Sequence, residues 1–202
     1  MKKILLCFAM FAFSPNAFSA SETATKADTK VVSTEIATFA AGCYWGTEEF
    51  FRKLPGVVST RVGFTGGTTK NPKYEETNDG HTGHAESVEV VFEPAKISYE
   101  KLLDYFFKMH DPTTLNQQGN DTGTQYRSAI FFNSEEQKKE ALNFKAKVDK
   151  SGAWSSPVTT EIAPAGQFWP AEEDHQKYLL KHPGGYDNHY LRKISFDATQ
   201  RK

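Results

Sequence analysis

Two hydrophobic periods alternate along this chain in one order, and that order limits the folds open to it. Strand-like spacing runs over Ile36–Ala40, helix-like spacing over Gly46–Lys53, and strand-like spacing again over Val57–Phe64 and Glu86–Phe92. Leu102, Leu103, Phe106 and Phe107 then mark a helix opened by Ser98 and closed before Asp111-Pro112. Ser128–Phe132 reads as a fourth strand. Ser134 with Gln137 forms a capping box for a helix running toward Lys150. Val158–Ile162 reads as a short fifth strand, and Glu172 to Lys181 as a last helix stopped by Pro183-Gly184. The order β-α-β-β-α-β, with a further helix, strand and helix, predicts an α+β fold. Its core is a ferredoxin-like split βαβ, a mixed sheet with helices packed on it.

That topology makes a spatial prediction. The first two strands run parallel, the third lies between them antiparallel to both, and the fourth flanks the first. The ends of strands one and two and the starts of strands three and four then share one edge. Gly42-Cys43-Tyr44-Trp45-Gly46 follows strand one, Glu86 opens strand three, and the loops carrying Tyr74 and Asp121 to Arg127 meet them there.

Cys43 is expected at the N-terminus of the first helix, where free N–H groups and the helix dipole favour a thiolate. Tyr44 and Trp45 put flat apolar surface beside it, and the small Gly42 and Gly46 allow close approach. A buried structural cysteine is the alternative. The N-terminus weighs on that choice. Lys2-Lys3, the apolar run Ile4 to Phe13 and the small residues Ala17 to Ala20 read as a secretory signal over residues 1–20, too short to span a bilayer. A polar linker over residues 21–34 and a catalytic domain over 35–202 follow. Cys7 leaves with the signal, so Cys43 is the one thiol expected in the exported, periplasmic chain. A lone cysteine there points to intermolecular pairing or a reactive free thiol.

The other residues at the edge keep two readings each. Glu86 is a proton donor with a raised pKa if desolvated, or a solvated strand-end carboxylate. Tyr74 and Tyr126 donate a phenol hydrogen bond to substrate oxygen, or pack. Asp121 is most simply a turn residue, and Arg127 an ion-pair partner. His81 and His84 read as turn histidines, since the histidines follow no ligand spacing and no metal is expected. A net charge of -1 gives no reason to expect nucleic acid as a partner.

The blocks Gly42 to Gly46, Gly63 to Gly67, Asn71 to Tyr74, Gly83 to Glu86, His110 to Pro112, Gly119 to Asp121, Gly123 to Ser128 and Phe168 to Gln176 resemble, in this order, those of the A-type peptide-methionine sulfoxide reductases. The resemblance covers Ile36 to Tyr186. It implies reduction of the S epimer of methionine sulfoxide, free or in proteins, as repair of oxidised protein. Cys43 would be the nucleophile that becomes a sulfenic acid, and Glu86 the proton donor. Tyr74 and Tyr126 would hold the oxygen, Asp121 would help position the reactants, and Tyr44 and Trp45 would grip the methyl group. It implies no cofactor beyond an external reductant, a thioredoxin-like protein or a small thiol.

Three positions depart from the family pattern. Tyr44 stands for the usual Phe, and Phe64 for an aromatic hydroxyl. Asp187 follows Gly185-Tyr186 where many members carry a resolving cysteine, so no internal disulfide is expected. Two rival readings remain from the residues themselves. One is another single-cysteine enzyme, a thiol peroxidase or a Cys-His hydrolase. The other is a methionine-sulfoxide-binding module without turnover.

Overall fold

In the computed structural model, which describes residues 33–197, six strands form one mixed sheet. The signal and linker expectations lie outside those residues, apart from the last two linker positions. β1 (Glu35–Ala41), β2 (Val57–Thr65) and β3 (Ala85–Phe92) run as the periodicity predicts. β3 is antiparallel to both β1 and β2, so β1 and β2 are parallel. A two-residue hairpin, β4 (Gln117–Gln118) and β5 (Asp121–Thr122), stands apart from the sheet. β6 (Ser128–Phe132) flanks β1 antiparallel, β7 (Glu161–Pro164) joins β6 in parallel, and β8 (Trp169–Pro170) closes the other edge beside β2. The sheet order β7-β6-β1-β3-β2-β8 contains the predicted split βαβ arrangement at its centre.

The helices are α1 (Tyr44–Phe51), α2 (Tyr74–Asn78), α3 (Tyr99–Met109), α4 (Glu135–Ser151) and α5 (Tyr178–Lys181). Phe39 of β1 stacks on Phe51 of α1 at 4.9 Å and on Phe106 of α3 at 5.3 Å, which locks both helices to the same sheet face. Val88, Val90 and Phe92 extend that core. A smaller cluster of Ala40, Ala85, Ala129 and Phe131 forms a second group of buried residues. The caps behave as their residue types require. Ser98 and Ser134 each accept the N–H three residues on, and Gly152 (φ 57°) ends α4 in the left-handed region that L side chains resist. Gln137 completes its cap on Asn133 N–H rather than on Ser134, and its amide also holds Ile36 of β1.

Two predicted boundaries move, for reasons of tertiary bonding. The fifth strand begins at Glu161 because Val158, Thr159 and Thr160 are spent elsewhere. They bond Asp149, Pro112 and Ser128 respectively. The last helix breaks into a 3-10 turn, Glu173–His175, and the short α5. Between them, Gln176 pairs its side-chain amide with both backbone groups of Val62. Lys177 takes a left-handed φ of 52° and donates its N–H to Glu48. Helix propensity loses to those sheet-edge bonds. Among the described residues no helix is long and apolar enough to cross a membrane.

Candidate active site

The strand ends meet as the topology requires. Cys43, Tyr44, Trp45, Tyr74, Glu86, Asp121 and Tyr126, together with Tyr186, line one cavity of about 150 Å³. Cys43 occupies the N-cap position of α1, so the helix starts two residues earlier than its periodicity suggests. Gly42 turns the chain into it with φ 92°, and a Cβ there would meet the Gln118 side chain at 2.5 Å. At Gly46 a Cβ would run into Asp187 and His189. The close approach expected at the two glycines is thus made by protein side chains.

Cys43 is only 8% exposed. The expectation of a dipole-stabilised thiolate does not hold for the free protein. Burial pushes the Cys43 thiol well up, Glu86 and Asp121 add to it, and the N–H groups of Trp45 and Gly46 offset only part. Desolvation of the sulfur outweighs a helix start that offers backbone dipoles and no full positive charge.

Glu86 takes the desolvated of its two readings. It is 2% exposed, and burial raises its carboxyl to about 8, with Asp121 adding to the rise and the Tyr44 N–H opposing it. That N–H reaches Glu86 Oε2 at 3.0 Å. Near neutrality the site therefore holds a neutral carboxylic acid beside a neutral thiol.

Tyr74 opens α2, whose start is tied by the Glu76 carboxylate accepting the Lys73 N–H. Tyr126 ends a 3-10 turn, Thr124–Tyr126, and donates its hydroxyl to Asn78 at the end of α2. Gln125 bonds the Asn78 carbonyl as well, so the two loops are joined into one wall. Burial raises both phenols, and they remain hydrogen-bond donors at neutral pH. Asp121 is more than a turn residue: it sits in β5, and its two oxygens accept from Tyr186 and Asn188 at 2.9 Å each. Arg127 pairs with Glu161, as its simpler reading proposed.

Trp45 stacks on Tyr178 at 3.8 Å and on His175 at 5.7 Å, and donates its indole N–H to His175 Nδ1 at 3.2 Å. His175 also lies 4.4 Å from the Tyr74 ring. His175, Tyr178 and Tyr186 were not among the site residues expected from the sequence. For His175 and Tyr186 the signal was the C-terminal Phe168 to Gln176 block and the Gly185-Tyr186 pair, whose place in space the element order did not reveal; Tyr178 lies outside both. The hydroxyl that Tyr44 carries beyond Phe is buried, with no hydrogen-bond partner among the described residues. His84 staples the loop after β2, accepting the Gly67 N–H at 3.0 Å and reaching the Thr69 carbonyl at 2.7 Å, so both ring nitrogens are in use. No cluster of three metal-binding side chains occurs among the described residues.

Residues 35–202 match a family model described as peptide methionine sulfoxide reductase. A protein named peptide methionine sulfoxide reductase MsrA from Mycobacterium sp. (strain MCS) is 54% identical over 156 residues, covering 77% of this chain and 89% of its own. The crystal structure of Mxr1 from Saccharomyces cerevisiae in reduced form superposes with a TM-score of 0.75 at 39% identity, covering 79% of this chain and 93% of that one. Mxr1 from Saccharomyces cerevisiae in complex with Trx2 superposes with a TM-score of 0.55 at 27% identity, covering 84% and 97%.

Proposed function

The chain belongs to the peptide methionine sulfoxide reductase family, whose members are oxidoreductases, and on that premise we propose that Cys43 and Glu86 divide the chemistry between them. Cys43 attacks the sulfur of a methionine sulfoxide, S epimer only. Glu86, protonated below about pH 8, gives its proton to the sulfoxide oxygen as the S–O bond breaks. The Tyr74 hydroxyl steadies that oxygen, the Tyr126 hydroxyl joins it by turning from Asn78, and Tyr44 and Trp45 form the apolar wall for the methyl group. Asp121 holds the reactants in register at the rim.

The electrons balance within the pair. The substrate sulfur is reduced by two electrons and leaves as methionine, and the cysteine sulfur is oxidised by two electrons to a sulfenic acid. The oxygen, carrying the Glu86 proton and the thiol proton, leaves as water when the bond between the two sulfurs forms; water then adds to the Cys43 sulfur as that bond breaks, which releases methionine, leaves the sulfenic acid and returns one proton to Glu86. The raised thiol fits this order of events. It stays neutral and unreactive until a polarised sulfoxide arrives, and protonation of the oxygen then draws the sulfur electrons toward the substrate.

An external thiol completes the cycle: it displaces water from the sulfenic acid to form a mixed disulfide, and a second thiol frees Cys43. A thioredoxin-like protein or a small thiol serves, consistent with the Trx2 complex described for Mxr1. The signal-like leader suits repair of oxidised proteins in the periplasm.

The observation that carries this reading is a buried carboxyl group, its pKa raised by that burial, in the same small cavity as the cysteine. Incubation with racemic methionine sulfoxide and dithiothreitol tests it. The S epimer alone is consumed, Cys43→Ser abolishes the reaction, and Glu86→Gln slows it strongly. Peroxide consumption with both epimers untouched would overturn it.

A further inference from the structure

Asp121 owes its place to the chain beyond α5 rather than to its own element. The β4–β5 hairpin has two residues on each side, too short to hold a side chain by backbone pairing alone. Asn188 Nδ2 donates to Asp121 Oδ2 at 2.9 Å and to the Gln118 carbonyl at 2.9 Å, thereby bridging the hairpin to the C-terminal strap. Tyr186 closes the other oxygen of the same carboxylate. The strap is itself pinned beside Cys43, because His189 Nε2 lies 2.7 Å from the Ala41 carbonyl and its Nδ1 lies 3.2 Å from Asp187. The backbone N–H of His189 returns to Asp187 as well, at 2.9 Å.

These bonds stand at the position where the family resemblance would put a resolving cysteine. A resolving segment has to travel to the catalytic sulfur, whereas this one is tied to the site at both ends of its turn. We propose that Asn188 is a positioning residue for sulfoxide reduction, holding Asp121 on the cavity rim as part of a fixed strap over Tyr186–His189. The inference rests on Asp121 belonging to the site, as read above.

A double-mutant cycle tests it, with kcat and KM measured for methionine sulfoxide and with thermal unfolding as the fold control. Asn188→Ala lowers kcat/KM about tenfold, the scale of one lost hydrogen bond to a carboxylate, and the deficit sits in KM. In the Asp121→Ala background the same change costs less than about twofold, because its target is already gone. Additive losses, or a deficit in kcat with KM unchanged, overturn the clasp. Full activity in Asp121→Ala alone instead sinks the reading of Asp121, which keeps the two failures apart. Should Asn188→Ala not fold, Tyr186→Phe removes the other donor and runs through the same cycle with the same criteria.

Discussion

Glu86, at the start of β3, accepts the backbone N–H of Tyr44, the residue directly after Cys43, at 3.0 Å. One hydrogen bond thus sets the distance between the proton donor and the nucleophile. It also stabilises the ionised carboxylate, yet burial prevails and the group titrates near 8. The reaction and the stability both inherit that balance.

The carboxyl should leave its signature on pH. A raised folded-state pKa means that the native protein keeps a proton the unfolded chain releases above about pH 4.3. Stability through this group is therefore full below that pH and declines as pH rises toward 8. Sulfoxide reduction should fall along a limb centred near pH 8 as the donor ionises. Glu86→Gln keeps an oxygen for the Tyr44 N–H, so it should raise the unfolding midpoint at pH 8 more than at pH 5 while losing that limb. Denaturation at the two pH values and a kcat/KM profile check both halves.

The resting thiol should be sluggish. Burial, Glu86 and Asp121 all hold Cys43 protonated, so iodoacetamide should alkylate it more slowly than a free small thiol at pH 8. Asp121→Asn removes one of the charges that raise it and should speed the labelling. Mass spectrometry against time reads the rate, and labelling as fast as a free thiol would contradict a raised pKa.

Tyr44→Phe should stabilise the fold. The hydroxyl is buried without a partner among the described residues, and such a group costs about 1–3 kcal/mol to desolvate. The ring keeps its contacts with Phe64 and His175, so turnover should persist. A higher thermal midpoint with unchanged kcat is the expected result, and a drop in midpoint would assign the hydroxyl a bond.

The C-terminal end should matter for stability more than for chemistry. Phe196 is 4% exposed and packs on Phe107 at 6.5 Å and Phe144 at 5.9 Å. Deleting residues after Tyr190 strips it from the core, and Phe196→Ala alone should cost about 3–5 kcal/mol. Urea denaturation measures the loss. Thiol-dependent turnover per folded molecule should survive, since the truncation leaves Tyr186 to His189 in place.

Much of this molecule was legible in its residues. Periodicity marked four of the six sheet strands closely, and the split βαβ order was enough to bring Cys43, Glu86, Tyr74, Asp121 and Tyr126 to one edge. Boundaries failed where long-range bonds override local preference, as at Gln176-Lys177, where a glutamine side chain imitates a neighbouring strand. The rest of the pocket came from residues far away in sequence, such as His175 and Tyr186, which no local pattern ties to Cys43.

By itself, then, the sequence determined which chemical groups exist and the order of elements that carries them, because side-chain periodicity and strand connectivity are local properties of the chain. The tertiary structure alone decided the protonation state of the site. A cysteine at a helix start reads as a thiolate, and a glutamate at a strand end keeps two readings. Both are neutral here because desolvation sums over every neighbour, and the residues around them arrive from six separate elements and loops only once the sheet has closed around them.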